Sequence, residues 1–318
     1  MDLREDARRG VLAQWMARFR PEADLDAVSL EGLVKVRIVQ CARIHMKNIM
    51  RLLLACFLFS VITSSSAAQP TPAGSAKASP VVLITGSNRG IGLALAKAYA
   101  TAGWRVIATC RDPGRASELT SLAADHPNVV VETLDVASEP SIAALVAKYR
   151  GRPIDVLVNN AGTSGNYAGQ VPGQFDEATF LEIMRVNAFA PLRISTAFLD
   201  NVSASEQRKI IAISSGRGSV SKPFLERRAY FYDMSKSALN LGMRKLQNDV
   251  AEKHVLIGIF APGIVDTELN NGLRNGVPAI RKLISPEESA AGLVNLIANL
   301  SKENQQRFQN YNGETFEW

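Results

Sequence analysis

Tyr232 and Lys236 stand four residues apart in YDMSKSALN. On a helix, side chains at that spacing share one face, so the lysine ammonium can lie near the phenol and favour phenolate. A free phenol ionises near pH ~10, and a cation beside it makes proton donation feasible closer to neutrality. Tyr232 could then act as the general acid toward a carbonyl being reduced. The spacing alone is common in helices. Here the pair opens a helix that follows a run ending Ile213-Ser214-Ser215-Gly216, which is a far rarer combination. Tyr230 is a rival phenol, but the residue four after it is Met234. Metal chemistry has no comparable foothold: Cys41, Cys56, Cys110, His45, His126 and His254 form no C-x-x-C, H-E-x-x-H or paired-ligand spacing.

Six short apolar, β-branched runs must carry these side chains: Val81 to Thr85, Arg105 to Cys110, Val129 to Thr133, Asp155 to Asn159, Lys209 to Ser214 and Val255 to Ala261. Helical patterns alternate with them, near Ile91 to Ala102, Ala116 to Ala124, Pro140 to Tyr149, Asp176 to Leu199, Tyr232 to Lys253 and Pro286 to Leu300. The alternation predicts an α/β fold, a single doubly wound Rossmann-type parallel sheet with helices on both faces. Ligands of such sheets bind beyond the carboxyl ends of the strands, and each strand end carries a motif.

The first strand runs into Thr85-Gly86-Ser87-Asn88-Arg89-Gly90-Ile91-Gly92. Gly86 permits a tight turn, Gly90 lets backbone approach a pyrophosphate, and Gly92 allows close helix packing with the helix N-terminus facing the anion. The second strand ends Thr109-Cys110-Arg111, where an NAD site would place a carboxylate for the ribose hydroxyls. Arg111, with Arg89 as a second cation, suits a 2′-phosphate, so NADP(H) is favoured over NAD(H). Asp112, the nearest acid, lies one residue too late. Asp135 could accept from an adenine amino group while Val136 presents backbone, although an aspartate after a strand is otherwise a helix cap. Asn160-Ala161-Gly162 lets a flat cofactor pass close to the chain; a turn satisfied by asparagine side chains is compatible with the same residues.

Together, TGSNRGIG, LDV, NNAG, Asn187 in RVNAFAPL, ISS, YDMSK and APGIVDT resemble the short-chain dehydrogenase/reductase family, in its expected order, over essentially all of Pro80 to Trp318. VIATCRDP, ISSGRGS, SKSALN and FQNYNGETFEW look like its C-factor-like carbonyl reductases. The resemblance implies four catalytic positions, Asn187, Ser215, Tyr232 and Lys236. Ser215 would hydrogen-bond the substrate carbonyl, Tyr232 donate the proton, Lys236 tune the phenol and hold the nicotinamide ribose, and Asn187 position a water. Pro262, Gly263, Val265 and Thr267 would close over the nicotinamide end, and NADPH would supply the hydride. The stretch from Ser215 to Tyr232, with Glu226-Arg227-Arg228, is longer than in the common family pattern. Loops at Thr163 to Gln174, Ser219 to Ala229 and Leu269 to Ile284 would shape a site for a small carbonyl or alcohol substrate. They name no particular compound, and Arg227, Arg228, Arg274 and Arg281 form no clear anion cluster. A homodimer through the helices after Asn187 and Tyr232 is implied by the resemblance alone.

The chain of 318 residues carries a formal charge of +6, but the excess is uneven. Before Pro80 lie 11 of the 36 Lys and Arg and 7 of the 30 Asp and Glu, so the part from Pro80 onward is nearly balanced. It shows no basic-aromatic interleaving, which argues against nucleic acid as a partner. Residues 46–68 follow a secretory layout: Lys47 and Arg51, an apolar run from Leu52 to Ile62, then small residues to Ala68. The run is short for a span, which needs about 20 apolar residues. Residues 1–45 then read as an extension preceding a true start at Met46 or Met50, 46–79 as the apolar segment with its linker, and 80–318 as the dinucleotide-binding domain. Any membrane contact would run through 46–68. The domain itself is of a cytoplasmic type, yet the segment points to export or membrane association. Hence a second reading: an exported C-factor-like signalling or dinucleotide-binding protein with little turnover.

Overall fold

The computed structural model describes residues 78–221, 229–270 and 283–318, within the compact unit Ala76–Trp318. Residues 1–77, including the apolar segment 46–68 and most of its linker, lie outside the described residues, as do Glu226-Arg227-Arg228, Arg274 and Arg281.

Strands β1 (Val81–Thr85), β2 (Arg105–Cys110), β3 (Val129–Thr133), β4 (Val156–Asn159), β5 (Lys209–Ile213) and β6 (Leu256–Ala261) pair in parallel. Parallel neighbours cannot be joined by a tight turn, so helices fill the crossovers: α1 (Gly90–Thr101), α2 (Ser117–Asp125), α3 (Glu139–Lys148), α4 (Glu177–Met184), α5 (Ala190–Ala197), α6 (Leu199–Ser203) and α7 (Tyr230–Asp249). Helix α8 (Pro286–Ala298) leads to two short strands, β7 (Phe308–Asn310) and β8 (Thr315–Phe316). The sheet order is β3-β2-β1-β4-β5-β6-β7-β8, parallel except at β7·β8. The chain reverses direction across the sheet between β1 and β4, and that switch opens a crevice at the strands' carboxyl ends.

Alternate residues of each strand feed two apolar cores. Leu83, Leu157, Ile210 and Ile257 join one with Phe198, Leu239 and Met243; Val82, Val158, Ile211 and Phe260 join the other with Leu95, Leu119 and Leu293. The period of two in side-chain direction makes both faces apolar, so the strands read as continuous hydrophobic runs. Each such side chain contributes about 1.5–3 kcal/mol by leaving water.

Three elements depart from expectation. The helix expected over Asp176 to Leu199 is interrupted by a π turn, Arg185–Phe189, between α4 and α5, and α6 starts separately after Phe198. Helix α7 begins at Tyr230, two residues before the expected start, because its first turn is held from outside the segment. Strands β7 and β8 were not expected. At three and two residues they are too short for periodicity, yet Phe308 is fully buried and pairs with Ile259.

Candidate active site

The crevice between β1 and β4 is closed by short bonds. Thr85 Oγ1 accepts from the backbone N–H groups of Asn160 and Ala161, both at 3.0 Å, and Asn160 Nδ2 donates to the carbonyls of Thr85 and Gly86 at 2.9 and 3.0 Å. This contact leaves no room for side chains. A Cβ at Gly92 would lie 2.1 Å from the Gly86 carbonyl oxygen, and Gly86 itself has φ +69° against the Ala161 backbone. Asn160 is thus spent on joining the strand ends. Asn88 and Ile91 are half-buried in the turn, and Ala161 and Gly162 continue β4 into the crevice. Helix α1 starts without a side-chain cap and without an acid in its first turn. Its free N–H groups and dipole make it a fitting cradle for a pyrophosphate.

The cations expected at this mouth are differently placed. Arg111 is exposed beyond β2, and the competing Asp112 is occupied, its Oδ1 accepting from Gly114 N–H at 3.1 Å. Arg89 is not free: it pairs with Glu268 at 2.7 Å, on the exposed rim. Asp135 forms a local turn, accepting from Ala137 N–H at 2.9 Å, and Val136 is buried in the core. On the far side, Ser289 Oγ donates to the Pro262 carbonyl at 2.6 Å, Gly263 adopts φ +83°, Val265 bridges to Ile284, and the Thr267 methyl packs against Gly90. The loop from Pro262 to Thr267 therefore borders the glycine turn.

Helix α7 carries Tyr232 and Lys236 into the interior; both are buried. Lys236 Nζ donates to the Ile213 carbonyl at 3.0 Å and lies 5.7 Å from the Tyr232 ring centroid. Burial pushes the ammonium down to about 8. Burial also raises the Tyr232 phenol well above its ordinary range, while the adjacent Ser215 hydroxyl and Arg217 pull it down and Tyr167 and Asp233 add to the rise. Gly162 stands beside both Asn187 and Lys236, linking this chemistry to the end of β4. Asn187 is fully buried in the π turn. Its Nδ2 donates to the Thr163 carbonyl at 2.8 Å and to Ser235 Oγ at 3.0 Å, and its Oδ1 accepts from Thr163 N–H at 2.9 Å. Its side chain is therefore committed to the loop after β4, leaving only its backbone for holding a water. The rival Tyr230 is 41% exposed and packs on Phe175, away from Lys236.

A match to the model of the short chain dehydrogenase family spans residues 80–277. The chain belongs to that family. It is 32% identical over 254 residues to an uncharacterized oxidoreductase of Schizosaccharomyces pombe, covering 73% of this chain and 96% of the relative. It is 31% identical over 166 residues to C-signal of Myxococcus xanthus, covering 52% of this chain and 93% of that protein. Among solved structures, NADPH-bound carbonyl reductase from chicken fatty liver superposes with a TM-score of 0.68 at 32% identity, covering 76% of this chain and 99% of that one. This short-chain dehydrogenase is therefore C-factor-like, as its motifs imply.

Sequence reading missed the residues that hold the family's motifs in place. Arg217 and Asp233 form a two-point ion pair at 2.6 and 3.2 Å, fastening the loop after Ser215 to the helix turn of Tyr232. Ser214 Oγ donates to Asn240 Oδ1 at 2.6 Å, and Asn240 Nδ2 donates to the Gly218 carbonyl at 3.1 Å. Gln170, fully buried, binds the start of α7. Charges sixteen residues apart across an insertion give no local signal, and a glutamine in a loop gives none at all.

Proposed function

We propose that this short-chain dehydrogenase reduces a small ketone or aldehyde with NADPH, Tyr232 donating the proton. The observation that carries the reading is the buried Tyr232–Lys236 pair with Ser215 against the phenol, at the same strand ends as the uncapped glycine turn. The cofactor would supply a hydride to the carbonyl carbon. The protein's part is to hold the oxygen against Ser215 and Tyr232 and deliver the phenolic proton as charge develops there. At neutral pH the raised Tyr232 stays protonated, as an acid must. The Lys236 ammonium, with donors to spare beyond Ile213, would hold the nicotinamide ribose and stabilise phenolate after transfer. Asn187 anchors Thr163, the first residue of the substrate loop, and would position water only through its backbone.

For the cofactor, Gly86, Asn88, Gly90, Ile91 and Gly92 would hold the pyrophosphate. Asp135 and Val136 would border the adenine, Asn160, Ala161 and Gly162 the nicotinamide ribose, and Pro262, Gly263, Val265 and Thr267 the nicotinamide. Arg111 would meet the 2′-phosphate, joined by Arg89 once it leaves Glu268. The chicken liver reductase, which binds NADPH, supports this preference. Fluorescence titration of the full chain with NADPH and NADH, followed by turnover of aldehydes and ketones, tests the reading; binding of neither nucleotide overturns it. Arg111→Ala should weaken NADPH about tenfold and leave NADH unchanged, the loss expected for one charge-assisted phosphate contact.

The C-signal similarity and the secretory layout of residues 46–68 favour a second reading, an exported dinucleotide-binding signalling protein; NADPH binding without turnover of any carbonyl would select it. On either reading we place the mature domain from Pro80 onward. Among the described residues no helix is long and apolar enough to cross a membrane. Exposed Leu181, Phe189, Met234 and Leu241 on α4, the π turn and α7 support a homodimer, which light scattering tests.

A further inference from the structure

Helix α7 begins without means of its own to satisfy its first turn. The first N–H groups of any helix lack intrahelical partners, and a Ser, Thr, Asp or Asn just before the helix normally supplies one. Here that place is held by Ala229, fully buried in the left-handed region (φ 69°, ψ 25°), with no side-chain cap. The missing acceptor comes from Gln170, in the loop after β4: its Oε1 accepts from Phe231 N–H at 3.1 Å and from Tyr232 N–H at 3.3 Å. The other end of the same amide faces the loop. Gln170 Nε2 donates to the carbonyls of Ser164 at 2.8 Å and Asn166 at 3.3 Å. One buried side chain thus holds the backbone of Tyr232 with its oxygen and the substrate loop with its nitrogen.

Other bonds hold the loop as well: Gly165 N–H donates to Thr163 Oγ1 at 3.2 Å, and the Gly169 carbonyl accepts from Asp176 N–H at 3.0 Å. Thr163 is tied to Asn187, and Asn166 Oδ1 accepts from Ala168 N–H at 3.0 Å, capping the single turn Tyr167–Gln170. From that turn Tyr167 also reaches toward Tyr232, Arg217 and Asp233. Its hydroxyl is buried without a hydrogen bond among the described residues, Ser164 being near enough to bias its titration but not in bonding geometry. The groups around the Tyr232 phenol are accordingly Ser215, Arg217, Asp233, Tyr167 and Lys236.

We propose that Gln170 is a positioning residue for carbonyl reduction, capping α7 at Tyr232 from the substrate loop so that loop position and proton-donor position are set together. The proposal rests on the function proposed above. It separates the two ends of the amide: the acceptor governs the proton-transfer step, and the donors govern how firmly the loop holds substrate.

Gln170→Leu removes both ends at similar volume, and Gln170→Glu keeps an acceptor, favoured at a helix N-terminus, while losing the donors. The full chain is assayed for NADPH-dependent reduction of para-nitrobenzaldehyde, with amide hydrogen exchange at Phe231 and Tyr232 and carbon NMR titration of the Tyr232 phenol. In Gln170→Leu, kcat should fall by about tenfold to a hundredfold, the range a misplaced catalytic group produces. NADPH affinity should hold, both amides should lose protection, and the phenol should titrate closer to its ordinary value as water enters. In Gln170→Glu, kcat should return to within about threefold of wild type with protected amides, while KM rises about threefold or more. An unchanged kcat in Gln170→Leu, or equal loss of kcat in both variants, overturns the proposal. If Gln170→Leu does not fold, the kcat-against-KM split in Gln170→Glu decides. If the wild-type chain binds NADPH but does not turn over, the function reading fails separately, and exchange decides the cap: protection kept in Gln170→Leu, or lost in Gln170→Glu, sinks it.

Discussion

At the glycine turn, the Thr85 hydroxyl and the Asn160 amide bond to backbone where two adjacent strands end, so the geometry is fixed on the sheet itself, with glycines where no further side chain fits. Around Tyr232 the positioning bonds run through loops and a π turn rather than between adjacent strands: Gln170 to α7, Arg217 to Asp233, Asn187 to Thr163 and Ser235. The first region is a rigid consequence of the sheet and, in the proposed function, would serve any dinucleotide of the right shape. The second depends on loops and can be retuned one side chain at a time. That division teaches where cofactor affinity and turnover should come apart.

Tyr232→Phe should separate them most widely. Removing the proposed proton donor should lower kcat by roughly 10²–10⁴-fold, the usual worth of general acid catalysis, with NADPH affinity within about twofold of wild type. Equal losses in a fluorescence titration and a turnover assay would merge the two regions. Gly92→Ala strikes the other side: with a Cβ built 2.1 Å from the Gly86 carbonyl, the turn must open. Overpacking of that kind costs about 1–3 kcal/mol, so NADPH Kd should rise by roughly tenfold to a hundredfold. Retained affinity in that variant would show the turn to be softer than its bonds suggest. Arg217→Met releases the serine loop from α7, and kcat should drop about tenfold with Kd unchanged, the half-buried two-point ion pair to Asp233 being lost.

The smallest effect concerns stability. Lys236 titrates near 8 in the folded chain and near 10.5 when unfolded, so between these values the unfolded state holds the extra proton. Stability should therefore rise as pH goes from 8 to 10, by about 1–2 kcal/mol from this group. Above pH ~10 the raised phenols of Tyr232, Tyr99 and Tyr149 act oppositely, because their unfolded forms ionise first. Denaturant melts of wild type and Lys236→Met across that window should differ in slope; parallel curves would mean that the ammonium is solvated.

The strands and the glycine turn were legible because apolar runs, breaker residues and close approaches are local properties of the chain. Helix α1 and its turn follow from residues 85–92 alone, and β1 to β6 lie within a residue of where the runs place them. Tyr232 and Lys236 were legible for the same reason, four residues apart on one helix. The sequence offers Arg89 as a second cation for a 2′-phosphate, whereas in the fold Glu268 holds it, since a surface ion pair between distant residues leaves no trace in spacing. Gln170, Asp233 and Asn240 escaped notice likewise. Their partners lie 61, 16 and 26 residues away, and only the folded sheet brings them together.

The π turn at Arg185–Phe189 sets a phase within one continuous rod of backbone. A wider turn takes up one residue more than regular winding allows, and each residue of an α-helix advances the side-chain direction by about 100°. The buried stripe nevertheless runs Ile183, Asn187, Ala190 and Ile194, in steps of four, three and four, so the wider turn places a polar side chain in an otherwise apolar row. Deleting one of the neighbours of Asn187 within 185–189 would break that count and turn Ile183 and Ile194 out of phase by about 100°. This helix should tolerate substitution there far better than a change of length.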